Sequence, residues 1–518
     1  MKTLTLILHC LALATVAHAQ LNQMTLVGQY VGEAEGDYFG SGTAMGDFDA
    51  DGQDEFIIGA SAWNESRGKN YFYDWNGDWP AAPSWTFQGT TPFYVYDFND
   101  QNVGDINADG IDDFGLTEGR AGQYGRLDLL WGGALFDSIP DWNIEQEPVF
   151  GFGESLDSCG DVNGDGGNDF IMGVRPNGPT DYEWRIYWGG SALDTVADVH
   201  LDEDYWDGEG LGDVNGDGYD DIMLLGYQMP PLLFFGGNPM DTIPDLVFND
   251  YSSSPGSAIG DVNDDGFNDF SMAMHLPDST MPLLCQPVYF GGPDVDSIPD
   301  AYLLDEQGSL TAALDYVTSG DVNGDGISDL ITGDGSLIWG NVAYIYLGGA
   351  WFNPIPDALI IGVATYYNWG EEMAVGDVNG DGRDEILVAS SNYWFDQGLA
   401  QLYTGPETWI DYGAAVEPGD LSRTPGWYKL DQNYPNPFNS STSVHFEIGK
   451  PSTVSLNIFD VKGNNIQRLI TAKPMLPGGY NVSWNGKNEE NQQVSSGIYL
   501  LELRVDQYRQ LRKIALLR

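Results

Sequence analysis

Short apolar runs recur along most of the chain, each bounded by glycine or acidic residues. They read FIIGA from Phe56, FIMGV from Phe170, IMLLG from Ile222, LITGD from Leu330 and ILVAS from Ile386. Runs this short, rich in Ile, Leu, Val and Phe and closed by turn residues, predict buried β-strands rather than helices. A second kind of run is aromatic and ends in paired glycines: LLWGG to Gly133, IYWGG to Gly190, LFFGG to Gly237, VYFGG to Gly292 and IYLGG to Gly349. A turn follows, often Asp-Ser/Thr-Ile-Pro-Asp, as at Asp137–Asp141, Asp241–Asp245 and Asp296–Asp300. A fourth, less regular strand comes after the turn.

An acidic loop precedes each first run, with the pattern D-x-[DN]-x-D-G-x-x-[DE]. Its first aspartates are 47, 105, 161, 213, 261, 321 and 377, at steps of 58, 56, 52, 48, 60 and 56 residues. Four short strands per unit, repeated seven times at a near-constant period, predict an all-β chain whose main body is a seven-bladed β-propeller.

The loop chemistry is that of a hard cation site. Calcium takes six to eight oxygens at about 2.3–2.6 Å, and alternate residues of a tight loop turn their side chains inward. Candidate ligands are Asp47, Asp49, Asp51 and Glu55 in the first loop, then Asp105, Asn107, Asp109 and Asp113 in the second. The third offers Asp161, Asn163, Asp165 and Asp169, and the fourth Asp213, Asn215, Asp217 and Asp221. The fifth offers Asp261, Asn263, Asp265 and Asp269, and the sixth Asp321, Asn323, Asp325 and Asp329. The seventh offers Asp377, Asn379, Asp381 and Glu385. Glycine at position six permits the sharp turn, and the varied position seven suits a backbone carbonyl ligand. An EF-hand is excluded, because it needs Glu at position twelve, where these loops have Ile58, Leu116, Met172, Leu224, Met272, Thr332 or Val388. A dockerin is excluded because strands, not helices, follow the loops.

Each unit resembles the FG-GAP repeat of integrin α-subunit propellers and their bacterial relatives. Phe39-Gly40 and Gly59-Ala60 supply the name-giving dipeptides around the first loop. The resemblance covers roughly residues 21–410 and implies calcium in the loops, up to seven ions, one per repeat. Asn at position three in six loops and Glu at position nine in two depart from the family pattern. Asn keeps an oxygen but loses a charge, which weakens a site. The ions are read as structural, neutralising carboxylates crowded at each blade edge. A calcium-bridged ligand or a calcium-responsive switch is the alternative.

The chain ends suggest how the ring closes. The seventh unit has no fourth strand, and Thr25–Tyr30 precedes the first unit where a fourth strand sits elsewhere. This N-terminal segment is expected to pair into the last blade, leaving no open sheet edge.

Both termini carry further information. Lys2, an apolar stretch from Leu4 to Val16 and Ala17-His18-Ala19 form a signal peptide over residues 1–19. Residues 20–410 are the propeller and 411–428 a linker without periodicity. Residues 429–518 alternate as Val444/Phe446/Ile448, Val454/Leu456/Ile458 and Tyr480/Val482/Trp484, which predicts a small Ig-like β-sandwich. LDQNYPNPFN, LPGGYNVSWNG, SGIYLLEL and RKIALLR in this segment resemble the type A C-terminal sorting domain of the type IX secretion system. They are also similar to the Ig-like domain of flagellar hook-capping proteins. The resemblance implies the type IX secretion machinery as a partner, with export across the outer membrane to the medium or the cell surface.

Charge sharpens this division. The whole chain carries 78 Asp and Glu against 20 Lys and Arg, a net charge of −58. Residues 427–518 hold 11 basic and 7 acidic side chains, a net of +4, which leaves −62 on residues 1–426. So large a negative charge excludes ordinary nucleic-acid binding, which rests on Lys and Arg, and argues against docking on anionic lipid. No segment after the signal is apolar for ~18 residues, so no transmembrane helix is expected.

Catalytic chemistry is sparse. His200, His275 and His445 lie in different units, and neither a zinc spacing nor a Ser-His-Asp set is present. No carboxylate pair stands out. Cys159 stands at a mostly apolar position and reads as a buried thiol, with Cys285 in another blade. Asp-Ser/Thr-Ile or -Val at Asp137, Asp194, Asp241 and Asp296 resembles a bacterial O-glycosylation signal, but its repeat position favours a structural turn. The chain therefore reads as a non-enzymatic, secreted or surface-anchored binding and adhesion module for a protein or glycan. The alternative is a polysaccharide-active hydrolase or lyase with its site in the propeller channel. A cluster of non-loop carboxylates at the axis would favour the enzyme. A wide aromatic patch would favour binding.

Overall fold

The computed structural model describes most of residues 21–409 and 428–516. The stretches 90–94, 97–100, 120–124, 146–149, 276–283, 305–315, 335–341, 363–368, 392–396, 431–437 and 460–464, with scattered shorter ones, lie outside the described residues. The signal peptide and the linker expected over 411–428 also fall outside, save Tyr428. Among the described residues the chain is β, apart from one-turn helical segments at Trp63–Ser66 and Gly190–Ala192. It divides into two compact units at Gly413.

The first unit contains seven antiparallel sheets of four or five strands, numbered here in chain order. Sheet one is Phe39–Gly46, Glu55–Ala60, Lys69–Tyr73 and Trp85–Gln88. The first strands of the remaining sheets include Gln101–Gly104, Phe150–Gly160, Asp207–Gly212, Ser252–Gly260, Tyr316–Gly320 and Glu372–Gly376. Each first strand packs on the first strand of the next sheet, and that of sheet seven packs on that of sheet one. The result is a closed ring with the first strands innermost, which is a β-propeller.

The core is divided in the same way. Seven apolar clusters each lie between successive sheets. Leu127 and Leu129 of sheet two, for example, meet Leu156, Phe170 and Met172 of sheet three. A second strand is packed on both faces, so Asp169–Arg175 is buried along almost its full length and reads as a continuous apolar run. The last cluster closes the ring, with Met45, Phe56 and Tyr73 of sheet one against Tyr30, Ala374, Leu387 and Leu402 of sheet seven.

Closure follows the expected route. Thr25–Val31 pairs antiparallel with Leu399–Thr404 as the outer strand of sheet seven. The sequence did not suggest a further pairing: Asn22–Gln23 adds to sheet six, parallel to Ala358–Ile361. One N-terminal segment thus stitches two neighbouring sheets.

The second unit has two sheets. Tyr428–Leu430, Thr442–Ile448 and Gly478–Trp484 form one, and Asn465–Met475, Ser452–Phe459, Gly497–Val505 and Tyr508–Leu516 the other. Val444, Phe446 and Ile448 of one sheet and Val454, Leu456 and Ile458 of the other fill a single core with Trp484 and Leu501.

Candidate functional site

The seven acidic loops connect the first and second strands of the seven sheets and share one hydrogen-bond plan. The first Asp accepts the amide of position five on one oxygen and that of the glycine at position six on the other. These bonds are 3.0 and 3.0 Å at Asp47, 2.9 and 2.9 Å at Asp161, and 3.0 and 2.7 Å at Asp377. Position five then accepts the amide of position seven, at 3.0 Å for Asp51 and 3.2 Å for Asp265. Glycine at position six has a positive φ in all seven loops, 87° at Gly52 and 93° at Gly218. A β-carbon there would strain the backbone.

Position nine is buried in all seven sets, and Asn163 at position three is buried as well. Asp169 accepts the Val162 amide at 3.0 Å and the Gly189 amide at 2.8 Å. Asp221, Asp269 and Asp329 repeat that plan with Gly236, Gly291 and Gly348. The paired glycines are therefore part of the site. At Gly236 a β-carbon would run into the Asp220 carbonyl oxygen, and the next amide, of Gly237, donates to Val162 of the preceding unit at 2.8 Å.

Burial raises every position-nine carboxyl, and the neighbouring loop acids add to the effect. Asp113, Asp169 and Glu385 are pushed up to about 7. Asp221, Asp269 and Asp329 reach about 8, and Glu55 about 9.

Whether a cation suits these loops is decided by their donors. In the first loop, ligand atoms of Asp47, Asp49 and Glu55 lie within 4.8 Å of one another. Glu55 Oε1 is buried and takes no hydrogen bond. Carboxylate and amide oxygens with an unsatisfied buried acceptor among them fit a hard, oxygen-seeking divalent ion.

The sequence reading missed three features. The first is position eight, which latches neighbouring units. Asp161 and Asp321 donate their amides at 2.7 Å to Asp220 and Asp384 of the next unit. Asp377 does the same to Asp54 across the ring seam. The column Asp54, Asp112, Asn168, Asp220, Asn268, Ser328, Asp384 is short and polar throughout, and that was the available signal. The second feature is Asp74, which comes within 4.8 Å of Asp49 and Asp51. The third corrects the expectation that no carboxylate pair stands out. Asp157 and Glu209, on the innermost strands of sheets three and four, hydrogen-bond side chain to side chain, with Asp207 nearby. The Gly210 amide also donates to Asp157 at 2.9 Å. Burial lifts Asp157 to about 7 and Glu209 well above its ordinary value.

Other candidates resolve into structure. In the Asp-Ser/Thr-Ile turns, Asp137 and Asp296 accept the amide two residues on at 2.7 Å, so a structural turn accounts for the motif. Cys159 and Cys285 are buried thiols outside any disulfide, and Cys285 Sγ donates to the Met274 carbonyl at 3.5 Å. His200 pairs with Glu183 at 2.7 Å. Among the described residues no helix is long and apolar enough to cross a membrane.

Known proteins match two parts of the chain. Residues 321–388 match the FG-GAP-like repeat family and residues 432–516 the secretion system C-terminal sorting domain. Integrin alpha-5 of Xenopus laevis is 24% identical over 233 residues, 39% of this chain and 21% of that protein. Integrin alpha pat-2 of Caenorhabditis briggsae is 30% identical over 163 residues, 27% of this chain and 13% of that protein. The chain thus aligns with about a fifth or less of these relatives. Among solved structures, BBS1N in complex with ARL6DN overlays 74% of this chain and 98% of its own, at 9% identity and a TM-score of 0.46, too low to carry a functional argument. The fold of the first unit is that of a β-propeller, residues 321–388 match the FG-GAP-like repeat, and the sorting-domain match over residues 432–516 indicates export by type IX secretion to the cell surface or the extracellular space.

Proposed function

We propose that this protein is a calcium-stabilised binding and adhesion module whose propeller loops contact an extracellular protein or glycan. The observation that carries the calcium part is the repeated loop, in which a buried position-nine carboxylate sits among other acids at each of the seven sheets. Residues at positions one, three, five and nine would hold the ions, up to seven in all. When bound, calcium supplies positive charge that lets these buried carboxylates ionise without mutual repulsion. The loops then fix the strand ends, and through position eight each loop fixes its neighbour. The sites are structural, and the ligand face lies elsewhere on the ring, as sequence variation outside the loops allows. A non-enzymatic role agrees with the integrin relatives and the sorting domain.

The test is a glycan-array and extracellular-protein binding screen of the full chain, run in calcium and again in EDTA. Defined hits lost in EDTA are expected. Hits indifferent to EDTA would separate the ligand site from the cations, and a blank screen in calcium would overturn the binding reading.

A second reading rests on Asp157 and Glu209. A carboxyl held protonated beside a carboxylate, here on the innermost strands of sheets three and four, is the equipment of a general acid and its partner. That arrangement favours a polysaccharide hydrolase or lyase. Release of reducing ends or unsaturated products by the wild type, lost in Glu209→Gln, would establish it.

A further inference from the structure

Loop one stands apart in three ways, two of its own and one shared with loop seven, and all three bear on Glu55. It alone has Asp at position three. In five of the other loops an Asn amide donates to position nine, as in Asn107 to Asp113 at 3.2 Å and Asn379 to Glu385 at 2.9 Å, while in loop four Asn215 donates to Asp217. The ionised Asp49 side chain has no N–H to give, and only backbone amides, of Phe48 and Asp49, donate to Glu55, both on Oε2. Sheets two to six also direct a glycine amide at position nine, whereas Trp75 and Asn76 stand where those sheets have paired glycines. Glu55 is only 4% exposed, and its Oε1 is left without a partner, as is Glu385 Oε2 in loop seven, which also lacks the paired glycines. The third difference is Asp74. It follows Tyr73 in the register position held by Trp131, Trp188, Phe235, Phe290, Leu347 and Thr404 in the other sheets. Its carboxylate comes within 4.8 Å of Asp49 and Asp51.

We propose that the first loop binds a calcium-type divalent cation more tightly than the other six, with Asp74 as an added carboxylate, and that this ion locks the seam of the ring. The proposal rests on the calcium reading above. Five carboxylates surround this loop where the other loops offer three, and ligand charge is what tunes affinity in flexible oxygen sites. The cation takes the place of the hydrogen-bond donors that Asn and the glycine amide provide elsewhere.

The connection to the seam is direct. Glu55 and Asp74 flank Phe56 and Tyr73, which are register partners and stack at 4.7 Å. Tyr30, on the closing strand Thr25–Val31, packs on both rings at 5.3 and 4.7 Å. Its hydroxyl donates to the Pro80 carbonyl at 2.9 Å. On the other side of Glu55, Asp54 donates its amide to the Asp377 carbonyl at 3.0 Å and accepts the Asp377 amide at 2.7 Å. An ion that fixes the ends of these two strands therefore fixes the platform under the closing strand and the latch to loop seven together.

The test uses the full chain, stripped with EDTA and titrated calorimetrically with calcium chloride. Asp74→Asn is expected to weaken the tightest class of sites by about tenfold, while Asp265→Asn in loop five leaves that class unchanged. In wild type, the first equivalent of calcium is expected to slow amide exchange in Thr25–Val31 and Leu399–Thr404 ahead of the other strands. An unchanged tightest class in Asp74→Asn, or a first equivalent that protects other sheets before the seam, overturns the lock while leaving calcium binding intact. Absence of any calcium uptake by wild type overturns both readings.

Discussion

The C-terminal sandwich keeps one apolar cluster between its two sheets, whereas the propeller divides its apolar residues among seven clusters and sets a buried carboxylate beside each loop. In the sandwich, Glu502 is buried but paired with Arg504 at 2.9 Å, and the segment is slightly basic. In the propeller, Asp128 is likewise paired with Arg126 at 2.6 Å, but the buried acids of the seven loops face other acids, and burial drives their carboxyls up to about 7 to 9. A sheet closed by apolar packing alone needs no external partner. A ring closed through acidic loops is coupled to whatever neutralises them.

The largest expected effect tests that contrast. Adding EDTA should lower the propeller's melting transition strongly and leave the sandwich transition where it was. Two sites filled at a hundred times their dissociation constant already contribute ~5 kcal/mol. Scanning calorimetry with and without EDTA reads both transitions, and equal shifts would break the comparison. Next in size is Leu456→Ala in the sandwich core. It should cost about 2–5 kcal/mol by urea unfolding, with the same cost in calcium and in EDTA.

A smaller effect is expected at the ring's latches. Asp220→Ala removes the acceptor of the Asp161 amide and should cost about 1.5–3 kcal/mol, confined to the propeller transition. The effect of pH is the smallest when read per pH unit. The folded-state pKa of Asp157 is raised to about 7 against an ordinary ~3.9, so the folded chain holds a proton that the unfolded chain releases. Its contribution is complete below about pH 4 and lost as pH rises to about 7, at a slope of up to about 1.4 kcal/mol per pH unit. Asp157→Asn should flatten the propeller's stability between pH 5 and 7. An unchanged slope would show that this proton is not held.

Much of the site was legible because it repeats. Positions one, three, five and nine recur in seven loops, and glycine at position six recurs where φ is positive. The paired glycines were legible as a motif but not as a device. Only the close approach of the Asp220 carbonyl at Gly236, and the amide bond from Gly237 to Val162, show why no side chain is tolerated there. Asp74 was hidden for the opposite reason, since it breaks a repeat and lies outside the loop motif.

What the sequence determined by itself was the local chemistry: strand and turn in each unit, the acidic loop, the seven-fold count of loops, the apolar alternation of the sandwich and the sorting segment. These depend on residues within a few positions of one another. Tertiary structure alone decided which acids meet across sheets. Asp157 and Glu209 are 52 residues apart and Asp54 and Asp377 are 323 apart. Their pairing comes from ring closure, which puts first strands of adjacent sheets side by side and brings the last loop against the first. Electrostatic cost depends on distance and burial in space, and neither can be read along a chain.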